Sequence, residues 1–272
     1  MRNWYKGAMI ASATTALVVF SLGVIPTSGQ APAQAYRAPR TGDGKPNLNG
    51  IWQANNTANW DIQDHAAKRG PVLALGAAFS VPGGLGIVEG NEIPYKPEAL
   101  AKKRENAANW LTGDPEIKCF MPGVPRANYM PYPFQIVQST DYILIAYEFA
   151  SASRTVRMNY KEESPTDSWM GWSRGRWEGE SLVIDVTGFN DSTWFDRAGN
   201  YHSDQLHVTE RYTPIDATHI NYEATIEDPA TFTRPWKISM PLYKRVEKNA
   251  QLLEFKCSEY TEELFWGEYR KA

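Results

Sequence analysis

Gly175-Arg176-Trp177-Glu178-Gly179-Glu180-Ser181-Leu182-Val183-Ile184-Asp185-Val186-Thr187 is the stretch whose reading decides the fold. The Gly-bearing turn Glu178-Gly179-Glu180 separates two extended runs, the spacing of a β-hairpin. In the second run Leu182, Ile184 and Val186 alternate with Asp185 and Thr187. That period of two sends successive side chains to opposite faces of a sheet. The same grammar continues on both sides of the hairpin. Residues 134–138, 142–147 and 154–158 read as strands upstream, and 206–212, 219–226, 236–243 and 252–257 downstream, each set off by a turn-rich gap. With no useful helical period among them, about eight antiparallel strands predict a mainly β fold, either a calycin-like up-and-down barrel or a sandwich.

The alternation leaves one question open. Leu206, Val208 and Tyr212, then Ile220, Tyr222 and Ile226, share an apolar face, while His207, Thr209 and Arg211, then Asn221, Glu223 and Thr225, share a polar one. The polar face either meets solvent, as in a one-sided antiparallel sheet, or lines a polar barrel interior. Ahead of the strands the chain is less regular. Residues 36–50 form a Pro-, Gly- and Asn-rich arm leading into Ile51-Trp52, and residues 70–96 are a Gly-rich loop with apolar residues that need burial. One helix is expected over 97–107, opened by Pro97 with Glu98 in its first turn and bases following. The expected organisation is a signal peptide over 1–35, then an arm, loops and one helix over 36–132 packing on a barrel over 133–272.

The compartment is read from the first 35 residues. Arg2 and Lys6 precede an uncharged, largely apolar stretch, Pro26 to Gly29 break it, and Ala33-Gln34-Ala35 matches a signal-peptidase site. The expectation is a periplasmic or secreted protein without a membrane span in its mature chain. Cleavage after residue 35 leaves 26 Lys and Arg against 31 Asp and Glu. A mildly acidic surface without a basic run argues against a nucleic-acid partner. Cys119 and Cys257 are the two cysteines, too far apart for a CxxC motif or a compact zinc knuckle. In an oxidising compartment one Cys119–Cys257 disulfide is the simplest reading, with two buried thiols as the alternative; closing so long a loop stabilises by about 4–5 kcal/mol at the upper end.

Four long blocks stand out: Cys119 to Arg126, Tyr132 to Gln138, Trp169 to Asp191 and His202 to Tyr212. Together they resemble a widespread family of exported, β-rich bacterial proteins, and the likeness runs from Asp43 to the C-terminal strand. It implies export and a β fold; it brings no activity, substrate or catalytic residue to carry over.

Chemistry is densest between Gly188 and Arg211. His202 is a candidate general base or acid, oriented by Asp191 or Asp204. Trp169, Trp172 and Trp194 are candidate walls of a ligand pocket, with His207 and Arg211 as its polar contacts. Turn formation and core packing explain the same residue types. His202 and His207 are five apart, which along a strand puts them on opposite faces, so no metal site is assigned and no cofactor is expected. Gly-x-Ser-x-Gly, His-Glu-x-x-His and a phosphate loop are missing from the sequence. The sequence therefore suggests a small-molecule-binding protein with a partly apolar, aromatic-lined pocket. The alternatives are a cofactor-free lyase, isomerase or hydrolase using His202, or an envelope assembly subunit whose protein partner is unknown.

Overall fold

The computed structural model describes residues 36–70 and 80–256. Nine strands close into a barrel in chain order: β1 (Gly50–Ala54), β2 (Phe134–Gln138), β3 (Tyr142–Tyr147), β4 (Ser153–Met158), β5 (Trp172–Glu178), β6 (Ser181–Thr187), β7 (His207–Pro214), β8 (His219–Glu227) and β9 (Trp236–Lys244). The fold is thus mainly β and a barrel rather than a sandwich, with nine strands in place of eight.

The unexpected strand comes from the N-terminal arm. β1 closes the ring by pairing with β2 through Trp52↔Phe134 and with β9 through Trp52↔Lys244. Trp52 is buried, and its indole Nε1 donates to the Leu48 carbonyl at 2.9 Å. Residues 252–256, expected to be a strand, carry none, and Cys257 lies outside the described residues.

Closing an odd ring has a geometric consequence. Every antiparallel neighbour reverses direction, and the ring must return to its starting direction, so nine strands require one parallel contact. That contact is β4 against β5, through Val156↔Ser173 and Arg157↔Arg174. The chain pays for it with the crossover 159–171, which travels back along the barrel as a parallel pair demands.

The apolar face fills the barrel. Val208, Tyr212, Ile220, Tyr222, Ala224, Ile226, Ile238 and Leu242 are fully buried, whereas His207, Thr209, Arg211, Asn221, Glu223 and Thr225 are partly exposed on the outside. Of the two readings of the alternation, the outward polar face is the one found.

The two barrel ends differ. One carries the short turns 139–141, 179–180 and 215–218, with the arm 36–49 against them. At the other gather the described residues of 55–70 and 80–133, with 148–152, 188–206 and 228–235. The expected helix is there as α1 (Pro97–Ala108), with a single further turn, α2 (Trp110–Gly113). Loop 188–206 packs on α1 at Gly199, where φ is +84° and a Cβ would lie 2.4 Å from the Ala107 backbone nitrogen. Only glycine fits that approach. Among the described residues no helix is long and apolar enough to cross a membrane.

Candidate functional site

The inward face carries two charges. Arg154 of β4 and Glu210 of β7 are paired at 2.6 and 3.0 Å, with side chains 2% and 0% exposed. The Glu210 carboxylate also accepts from Asn128 Nδ2 (2.8 Å), Tyr212 OH (3.1 Å) and Tyr222 OH (2.8 Å). Arg154 Nε donates to the Tyr147 hydroxyl, which donates on to Asn128 Oδ1, both at 3.0 Å. Since β3, β4, β7 and β8 are not all neighbours, these contacts cross the lumen. Burial pushes the Tyr147, Tyr212 and Tyr222 hydroxyls up, so all three serve as neutral donors. At this level the barrel is filled by a satisfied polar network.

The plug at the long-loop end begins with the 3-10 turn Arg126–Tyr129. Asn128 reaches into the lumen; Arg126 reaches the opposite way. Its guanidinium holds Asp114 bidentately (2.8 and 2.8 Å) and donates to Asn59 Oδ1 (3.0 Å) and Glu116 Oε2 (3.4 Å). Glu116 is in turn gripped bidentately by Arg197, from Nε at 2.8 Å and Nη2 at 3.0 Å. Burial opposes charge on Glu116, but Arg197 and Arg126 outweigh it and hold its pKa below the usual value. The result is an alternating chain, Asp114–Arg126–Glu116–Arg197, running outward from the plug. Arg126 closes the Cys119-to-Arg126 block, which explains why that block ends on a cation.

Arg197 is where this buried chain meets a cleft. Its guanidinium carbon lies 4.4 Å from the Trp60 ring centre and 5.3 Å from that of Trp110, and the two indoles meet edge-on at 5.7 Å. With Asp61, His65, Lys68 and Lys103 they line a cleft of about 200 Å³. Such cation–π contacts are worth about 0.5–2 kcal/mol each, so Arg197 also fixes the aromatic wall. His65 donates from Nδ1 to the Gln63 carbonyl (2.8 Å) and is met at Nε2 by the Thr57 hydroxyl (3.3 Å). No family model, curated protein or solved structure matches this chain. The cleft must be judged on its own chemistry.

The residues singled out from sequence do not converge. His202 is 2% exposed, with Nδ1 2.8 Å from the Ser203 carbonyl and Nε2 2.6 Å from the Thr193 hydroxyl. Nδ1 therefore donates, Nε2 accepts, and burial lowers the pKa, keeping the ring neutral. Asp191 and Asp204 are exposed, and neither is a hydrogen-bond partner of His202. His207 sits on the outer face, 2.6 Å from Asp185, and Arg211 lies there too, paired with Glu178. Trp172 is covered by Arg157 at 3.8 Å, Trp169 stacks on Phe120 at 5.2 Å, and Trp194 approaches Gly113. These are separate places, and what joins His202 to the plug is Thr193. Thr193→Val keeps the shape but strips the His202 Nε2 of its donor; a loss of roughly 1–3 kcal/mol in unfolding free energy is expected in urea titration. An unchanged midpoint would mean that water takes over this bond.

The expected pairing of Cys119 has its second member, Cys257, outside the described residues. Among the described residues no three His, Cys, Asp or Glu side chains are grouped as a metal site.

Proposed function

We propose that this chain is an extracytoplasmic small-molecule-binding protein whose ligand occupies the cleft between Trp60, Trp110 and Arg197. One observation carries the reading: the barrel's centre is packed by the Arg154–Glu210 network, while the end with all the long connections presents an aromatic-walled cleft. Its inner cation is braced by two buried ion pairs in series. Loops on a rigid scaffold are the usual place for recognition, and an apolar wall with a few fixed polar groups is the usual make-up of a ligand site. The export half of the reading rests on residues 1–35, whose order of basic start, apolar stretch and small-x-small end is that of a secretory signal.

Trp60 is the side chain to remove. Trp60→Ala takes away one wall and the surface on which Arg197 rests, leaving the barrel strands untouched. A panel of small ring-bearing molecules, screened by saturation-transfer NMR against residues 36–272, is expected to give binders that Trp60→Ala weakens at least about ten-fold, a loss of about 1.4 kcal/mol. Binders that ignore Trp60→Ala place the site elsewhere. A panel without binders removes the reading.

A further inference from the structure

The cleft has a charge signature as well as an aromatic wall. Arg197 spends Nε and Nη2 on Glu116, and its third nitrogen, Nη1, has no hydrogen-bond partner among the described residues although the side chain is only 12% exposed. Lys68 and Lys103 line the same cleft, and neither is ion-paired among the described residues. Asp61 is the one acid in the lining. Within the chain of ion pairs the charges already balance, since Asp114 and Glu116 stand against Arg126 and Arg197. The lining outside that balanced set therefore carries two cations against one anion, a surplus of one positive charge.

These features ask for a particular ligand. A guanidinium nitrogen with both its hydrogens unspent, on a braced arginine that lines a small cleft, suits a planar oxyanion, because charge-assisted bonds from a preorganised donor are among the strongest available. A surplus of one charge suits a monoanion. Two indole rings favour a flat, apolar body that stacks or packs edge-on. About 200 Å³ holds one ring with a short substituent and excludes large amphiphiles.

We infer, resting on the proposed binding role of this cleft, that its ligand is a ring-bearing monocarboxylic acid. The carboxylate is held by Arg197 Nη1 with Lys68 and Lys103, and the ring lies against Trp60 and Trp110. Arg197 is the selecting group and the lysines raise the local concentration of anions, so the lysine contribution is screened by salt and the arginine contribution less so.

The experiment uses matched pairs: benzoate, phenylacetate and indole-3-carboxylate, each against its primary amide, titrated at pH 7.5 into residues 36–272. Each amide keeps the ring and the shape and removes the charge. The acids are expected to bind about 10- to 100-fold more tightly than the amides. Lys68→Gln with Lys103→Gln is expected to erase part of that preference and most of its salt dependence. Arg197→Lys, which keeps the charge and loses the fork, is expected to erase most of the preference, with circular dichroism verifying the fold. Acids and amides binding equally, yet sensitive to Trp60→Ala, would overturn the acid assignment and leave the binding role standing. Acid binding that survives all three cation substitutions unchanged would also overturn it, since the carboxylate must then sit elsewhere. No binding by any member would remove both.

Discussion

Glu210→Ala is expected to lower the unfolding free energy by about 3–5 kcal/mol, because it leaves Arg154 charged and unpaired in the lumen. The pair is as buried as any in the barrel, with both side chains at 2% exposure or less. Arg154 would keep bonds only to Tyr147, Ser173 and Tyr212, all neutral. Tyr222 would lose its acceptor entirely, and Asn128 would lose the acceptor for its amide. Urea unfolding at pH 7 measures the loss. The informative companion is Arg154→Met with Glu210→Leu. Replacing both members of a buried pair by apolar residues is often neutral. Here it recovers only part of the stability, because Tyr212, Tyr222 and Asn128 still lack the carboxylate they all address. A double variant as stable as the wild type would show that the pair alone mattered and the three neutral donors contribute nothing. A single variant losing less than about 1 kcal/mol would mean that the lumen admits water around Arg154.

That network also marks what the sequence did and did not reveal. The strands were legible because period-two alternation is a local signal, and eight of the nine runs read as strands appear as β2 to β9. β1 was not, because five residues preceded by Asn49 and opened by Gly50 give too short a pattern to separate from an extended arm. Its role depends on long-range partners, β2 and β9, that no local period encodes. Glu210 left a legible but faint trace: in Val208-x-Glu210-x-Tyr212 a carboxylate occupies the apolar phase, and Arg154-x-Val156 breaks phase in the same way. A charge in the core phase on one strand needs a counter-charge in the core phase on another, and that rule would have paired them. Trp60 and Arg197 lie in loops and Trp110 opens the one-turn helix α2, up to 137 positions apart in the chain, and no period joins them. The residues between Gly188 and Arg211 attracted attention by their density, yet strand alternation splits His207 and Arg211 from the buried His202.

Asp196 predicts an unusual pH dependence of stability. It is fully buried at the base of the plug, and its pKa is raised to about 7 by burial and by the charge of Asp61, against the lowering effect of hydrogen bonds from Asn200 and the Ile62 backbone. In the unfolded chain the same carboxyl releases its proton near pH 4. Between those values the native state holds a proton that the unfolded state has given up, so stability falls as pH rises through this window. A displacement of about three pH units corresponds to about 4 kcal/mol, lost between roughly pH 4 and pH 7 and constant above. Asp114, raised by burial, and His207, raised by its bond to Asp185, act in the same sense, and other groups oppose it or act elsewhere. Asp185, lowered by its bond to His207, and Asp216, lowered to about 2 by the Thr218 backbone N–H, contribute stability that is lost only as pH falls below the ordinary carboxylate range. His202, its pKa lowered by burial, costs stability as pH drops below 6.5, which partly masks Asp196 in the wild-type curve. The difference between the wild type and Asp196→Asn isolates the effect. An amide stays neutral throughout, and its oxygen can keep the bonds from Ile62 N and Asn200 Nδ2, so any fixed cost of the substitution does not vary with pH. In urea unfolding at pH 4.5, 6 and 8, Asp196→Asn is expected to gain on the wild type by about 3–4 kcal/mol across the series. Parallel curves would show that native Asp196 is ionised over the whole range, its three N–H donors then outweighing both burial and Asp61.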